Sequence, residues 1–128
     1  MILSRGSLPR ILCVDDNRDV ADSAALLLEL IGYETRACYD GPAALEQAAT
    51  FQPDVCLIDL NMPGMNGDEL AVRLREQAGR QSPVLIVVTA MSDENSRHRI
   101  AAANFDQHLT KPVDPPQLLA VLTRFLQP

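Results

Sequence analysis

Val55-Cys56-Leu57-Ile58-Asp59, followed by Leu60-Asn61-Met62-Pro63-Gly64-Met65-Asn66-Gly67, is a short apolar run that stops on a carboxylate and then enters a loop punctuated by Pro and Gly. A run this short, continuous and rich in β-branched residues reads as a strand buried on both faces. Two others share the property: Ile11-Leu12-Cys13-Val14, which ends in Asp15-Asp16, and Val84-Leu85-Ile86-Val87-Val88, which ends in Thr89. Helical patterns lie between them. Strands alternating with helices imply a parallel sheet, which binds ligands beyond the carboxyl ends of its strands, where the connection order reverses. Each run delivers its polar residues to that edge.

The rest of the chain fills in five βα units. Val20, Ala24, Leu27, Leu28 and Ile31 recur at helical spacing and predict the inward face of a first helix, with Gly32 closing it in a left-handed conformation. Tyr33 to Cys38 predicts a second, shorter strand. Asp40-Gly41-Pro42 opens a second helix that carries Leu45, Ala48 and Phe51 inward and stops at Pro53. Leu70 and Leu74 mark the inner side of a third helix. A fourth, about Asp93 to Ala103, has Ile100 as its only large aliphatic residue, with Arg97, His98 and Arg99 exposed along it, so it should be the least firmly held. A last strand near Gln107 to Thr110 meets Lys111-Pro112. Asp114 then caps a terminal helix whose Leu118, Val121, Leu122 and Phe125 face the core. The expected fold is α/β, a doubly wound (βα)5 with a five-stranded parallel sheet of flavodoxin-like order 2-1-3-4-5. Residues 10–127 form its one domain, and residues 1–9 read as a disordered leader or linker.

Size and charge narrow the function. The 128 residues suffice for one full core without disulfides or structural metals. A formal net charge of −6, with arginines scattered, argues against nucleic acid and against an anionic membrane surface. No run approaches the roughly 20 apolar residues of a membrane span. Cys13, Cys38 and Cys56 are odd in number and share no CxxC spacing, which reads as buried hydrophobes in a reducing, cytoplasmic compartment.

With order 2-1-3-4-5 the reversal falls between the strands that deliver Asp15-Asp16 and Asp59, so three carboxylates crowd one crevice. At about 5 Å and an effective dielectric near 20, each ionised pair repels by roughly 3 kcal/mol, which calls for protons or a cation. Few ligands, all of them oxygen, suit Mg²⁺ better than zinc or calcium. A metal held this openly leaves positions for a phosphoryl oxygen, and Lys111 and Thr89 offer a cation and a hydroxyl. Aspartate can itself be the nucleophile in phosphoryl transfer, and Asp59, alone at its strand end, is the candidate. Taken singly, Asp16 or Asn17 could be a helix cap, Thr89 a strand residue and Lys111 a solvated charge. The set outweighs these readings.

Val14-Asp15-Asp16-Asn17, Asp59 with its Leu60-to-Gly67 loop, Thr89-Ala90 and Lys111-Pro112 together resemble the receiver domain of two-component response regulators and hybrid histidine kinases, from about Arg10 to Leu126. The resemblance implies that Asp59 takes a phosphoryl group from a phosphohistidine on a sensor histidine kinase or phosphotransfer protein. It implies Mg²⁺ held by Asp15, Asp16, Asp59 and the backbone carbonyl of Asn61. Thr89, beside the small Ala90, and Lys111 would receive phosphoryl oxygens, and the Lys111–Pro112 peptide would be cis. Such a module is not an enzyme toward external substrates. Its output is a protein contact made by the fourth helix, fifth strand and fifth helix, where a weak dimer could also form through the Arg97–Arg99 stretch. One position departs from the pattern: the switch residue that works with Thr89 is usually Tyr or Phe, and here it is His108, whose imidazole is smaller and polar. Two other functions fit parts of the pattern. A haloacid-dehalogenase-like phosphohydrolase also uses an aspartyl nucleophile, but wants Asp-x-Asp and usually a cap domain. A binding scaffold would need no complete site.

Overall fold

A computed structural model describes residues 8–90 and 93–126. The elements run β1 (Arg10–Val14), α1 (Arg18–Ile31), β2 (Glu34–Cys38), α2 (Gly41–Phe51), β3 (Val55–Asp59), α3 (Gly67–Ala78), a 3₁₀ turn (Gly79–Gln81), β4 (Val84–Thr89), α4 (Glu94–Ala102), β5 (Gln107–Thr110) and α5 (Pro115–Leu126). All strand pairs are parallel, and the order is β2-β1-β3-β4-β5. This is the doubly wound, flavodoxin-like sheet that the apolar runs predict. Most of the expected leader lies outside the described residues, and β1 begins at Arg10.

Successive strand side chains point to opposite faces, which divides the core in two. Leu12, Val14, Cys56, Ile58 and Leu85 face one way, against Ala44, Phe51, Leu70 and Leu74 of α2 and α3. Ile11, Cys13, Val55, Leu57, Ile86 and Leu109 face the other, against Ala25 and Leu28 of α1 and Leu118 and Leu122 of α5. Each fully buried Leu or Ile contributes roughly 1.5–3 kcal/mol relative to exposure, so both layers are needed.

Local chemistry sets the helix ends. Asn17 caps α1 by accepting from the Val20 amide, Asp40 caps α2 from Ala43, Asp93 caps α4 from Ser96, and Asp114 accepts from Gln117 at the start of α5. Gly32, at φ +127°, ends α1 with its N–H shared between the Leu28 and Glu29 carbonyls.

The inward face of α1 differs from the expected one. Ala21, Ala25 and Leu28 are buried, Ala24 and Leu27 are half-buried, and Val20 and Ile31 are 41% and 44% exposed. The helix carries more apolar residues than one stripe needs, and periodicity does not choose between adjoining stripes. The small alanines let α1 approach β2, and that closer packing decides the rotation. Val20, Ala24 and Leu27 instead line a groove of about 710 Å³ that runs from the acidic crevice toward Val113, Pro115 and Leu118.

Candidate functional site

Strand register builds the site. Val14 pairs with Ile58, so Asp15 and Asp59 arrive level with each other. Asp59 pairs with Val88 and Thr89 with Thr110, which sets Thr89 and Lys111 just beyond them. Asp15 and Asp59 are buried, Asp16 is exposed, and one carboxylate oxygen from each of the three lies within 4.8 Å of the others. Asp15 Oδ1 accepts the Asn17 amide at 2.9 Å, while Oδ2 accepts the Lys111 ammonium at 2.8 Å. Lys111 Nζ is also 3.4 Å from Asp59 Oδ1.

Burial, then the charge of Asp15, pushes the Asp59 carboxyl up to about 6; Lys111 pulls against this and a hydrogen bond with Asp16 adds to it. Burial works to lower Lys111, but the bond to Asp15 and the charges of both acids raise it on balance. One ammonium against three carboxylates leaves the crevice strongly negative. The donors are hard oxygens with neither nitrogen nor sulfur among them, and the cluster is open on the Asp16 side, so it fits a small hard dication that keeps part of its water shell.

Around this centre, Thr89 is fully buried at the end of β4, and Ala90 lines the groove with Asp15, Asp59 and Lys111. The Lys111–Pro112 peptide is cis. His108 is half-buried on β5, opposite Val87, and its Nε2 is buried with no hydrogen-bond partner among the described residues. The three cysteines are buried, with thiols raised by burial, to about 12 for Cys13 and about 11 for Cys38, and higher still for Cys56. They are packing residues.

The β3–α3 loop is fastened tightly beside Asp59. A Cβ added at Gly67 would lie 2.2 Å from the Asp59 carbonyl oxygen, so only glycine lets α3 start there. Gly67 donates to the Leu60 carbonyl at 2.8 Å, Asn66 Oδ1 accepts the Met62 amide, and Met62 packs into the core. Met65 fills the space that Gly41 leaves open.

Arg99 corrects the sequence reading of α4. Arg97 and His98 are exposed as expected, but the Arg99 side chain is only 22% exposed and turns inward. It grips Asp68 of α3 through two nitrogens, at 2.9 and 3.1 Å, and donates to Asn61 Oδ1 at 2.8 Å and to the Leu60 carbonyl at 3.2 Å. These partners lie 31 to 39 positions away in the chain, and no local pattern announces them.

A family profile described as "Response regulator receiver domain" matches residues 11–123. The chain belongs to that family. Receiver domains are signalling modules of two-component response regulators and hybrid kinases, and this one resembles both contexts. It is 34% identical over 117 residues to the sensory transduction protein RegX3 of Mycobacterium bovis, covering 91% of this chain and 50% of that one. Over 120 residues it is 36% identical to the sensor protein GacS of Pseudomonas syringae pv. syringae, covering 91% of this chain and 13% of that one. The receiver thus spans half or less of these relatives. The chemotaxis protein CheY4 of Vibrio cholerae superposes with a TM-score of 0.86 at 29% identity, over 94% of this chain and all of that one. No helix among the described residues of this receiver is long and apolar enough to cross a membrane.

Proposed function

We propose that this receiver is a phosphoacceptor in a two-component phosphorelay, with Asp59 taking the phosphoryl group from a phosphohistidine on a sensor histidine kinase or phosphotransfer protein. The observation that carries the reading is the position of Asp59: buried, within 4.8 Å of two further carboxylates and 3.4 Å from Lys111. Asp15, Asp16, Asp59 and the Asn61 backbone carbonyl would hold Mg²⁺. When bound, the ion neutralises charge on the transferring phosphoryl oxygens and on the acids around them.

The chain's own groups do the rest. An Asp59 carboxylate oxygen attacks phosphorus, a P–O bond forms, the donor's P–N bond breaks and the histidine nitrogen leaves with the electron pair. Lys111 is placed to take up a phosphoryl oxygen once its hold on Asp59 is exchanged for the phosphate. Thr89 offers a hydroxyl to another oxygen, and Ala90 leaves room for the group. Thr89 and His108 form the switch that carries the change to the α4–β5–α5 surface, where a downstream protein binds. The domain promotes its own phosphorylation and dephosphorylation and turns over no external substrate, and the cytoplasm is its place of action.

Acetyl phosphate with Mg²⁺, followed by intact-mass measurement, tests this. One hydroxylamine-labile phosphoryl adduct is expected on the wild type, absent without Mg²⁺ and absent in Asp59→Asn. Release of phosphate over many turnovers would instead indicate a hydrolase, and no adduct at all a scaffold.

A further inference from the structure

We propose that Arg99 is a positioning residue for the phosphoacceptor site: by clamping the Leu60 carbonyl and the Asn61 side chain against Asp68, it fixes the Leu60–Asn61 peptide, directly ahead of the Asn61 carbonyl. The inference rests on the reading of Asp59 and the Asn61 carbonyl given above, and adds to it a residue from a different helix.

The loop's own hydrogen bonds engage Leu60, Met62, Asn66 and Gly67, and the Asn61 side chain is held from outside the loop. Leu60 is tied down by its amide to the Val88 carbonyl at 3.2 Å and by its carbonyl to Gly67, whereas Asn61 is exposed at the mouth of the crevice. Arg99 supplies the missing constraint. A planar guanidinium can engage a carboxylate through two nitrogens and still direct its remaining donors elsewhere. Here Nε and Nη2 face the Asp68 carboxylate, Nη1 faces Asn61 Oδ1, and Nη2 also reaches the Leu60 carbonyl. Asp68 in turn is held low by its bond to Arg99, so the pair stays ionised throughout the physiological range.

The arrangement asks more of Arg99 than helix packing would. In α4 the buried residue is Ser96, with no large apolar side chain fully buried, so Arg99 is a principal tether of the helix to the rest of the domain. Its far end closes on the two residues directly after the phosphoacceptor. Groups that orient metal ligands without touching the metal typically cost 10–100-fold in metal affinity when removed. Arg99 acts on one ligand of a set dominated by carboxylates, so the lower end of that range applies.

Calorimetric titration of MgCl₂ into metal-free protein tests the proposal, run on wild type, Arg99→Met, Arg99→Lys and Asp59→Asn, with thermal melts of each in EDTA. Arg99→Met should weaken Mg²⁺ binding about tenfold. Arg99→Lys should weaken it less but measurably, because one ammonium cannot span Asp68 and both loop acceptors. In acetyl phosphate reactions the magnesium concentration giving half-maximal phosphorylation should rise by the same factor, with the rate at saturating magnesium nearly unchanged. A merely structural role would lower the melting temperature and leave magnesium affinity alone, and that result in either variant overturns the proposal. Should Arg99→Met not fold, Arg99→Lys decides by itself: wild-type affinity refutes the clamp. Wild-type protein that takes up no magnesium and is indifferent to Asp59→Asn would instead bring down the reading of the site, and the clamp with it.

Discussion

Lys111 leans on Asp15: its ammonium lies 2.8 Å from Asp15 Oδ2 and 3.4 Å from Asp59 Oδ1, so the lysine neutralises the neighbour of the phosphoacceptor more directly than the phosphoacceptor itself. Removing it leaves three carboxylates without a cation. Lys111→Met should therefore destabilise the metal-free domain by about 1–3 kcal/mol, since a buried pair broken on one side leaves a charge uncompensated. Magnesium should bind the variant more tightly, by roughly fivefold, because a nearby positive charge no longer opposes the ion. Chemical denaturation in EDTA and in Mg²⁺ checks both signs. A variant less stable in both buffers by the same amount would contradict the electrostatic account.

Asp59 predicts the opposite sign. Its carboxyl is raised from an ordinary 3.8 to about 6 in the fold, so between those values the native state binds more protons than the unfolded chain. Stability from this group is fully present below about pH 4 and is lost as pH rises through 6. Asp59→Asn removes that loss and should stabilise the metal-free domain at pH 7 by about 1–3 kcal/mol, with the gap closing near pH 4. Paired denaturation curves at the two pH values measure it.

The same proton competes with magnesium. A metal ligand must be deprotonated, so apparent magnesium affinity should be level above pH 7 and fall roughly tenfold per unit once pH drops below about 6. Titrations at several pH values would read the slope directly, and a flat profile from pH 7 to 5 would exclude Asp59 as a ligand.

Gly67 is needed for its lack of a Cβ, not for backbone freedom. A methyl there would meet the Asp59 carbonyl at 2.2 Å, whereas Gly64 has open space and a φ of +80°. Gly64→Ala should cost about 1 kcal/mol of left-handed strain and leave magnesium binding intact. Gly67→Ala should cost 1–3 kcal/mol or more by overpacking and weaken magnesium binding as well, because the displaced atom belongs to Asp59 itself. Melting curves and magnesium titrations on the two variants separate the mechanisms.

The sheet and the acidic centre were legible in the sequence for one reason: strands buried on both faces leave continuous apolar runs, and the residue ending each run lies at the ligand edge. Asp15, Asp59 and Thr89 are placed by that logic, whereas Lys111 follows a mostly polar strand, Gln107–Thr110, in which only Leu109 is buried. The rotation of α1 was not legible, since Val20 and Ile31 are as apolar as the buried Leu28 and only packing selects among them. Nor was Arg99, which resembles its exposed neighbours Arg97 and His98 until the fold brings Asp68 and Asn61 within reach. Hydrophobic periodicity reports burial of carbon. It is silent on where a long polar side chain finds partners three elements away.

His108 is the position where this receiver's switch should differ from one built on Tyr or Phe. Its Nε2 is buried with no partner among the described residues, and a buried polar atom left without a hydrogen bond costs roughly 1–3 kcal/mol. His108→Phe removes that atom and adds apolar surface at a half-buried site, so it should stabilise the unphosphorylated domain by about 1 kcal/mol. The gain belongs to the half-buried position that His108 occupies on β5, which the variant's ring should hold more completely. Denaturant midpoints give the first quantity, and the methyl and ring resonances of β5 and α5 with and without phosphorylation give the second. A lower midpoint for His108→Phe would mean that the imidazole has a partner the ring cannot replace, and the switch would then be polar in origin.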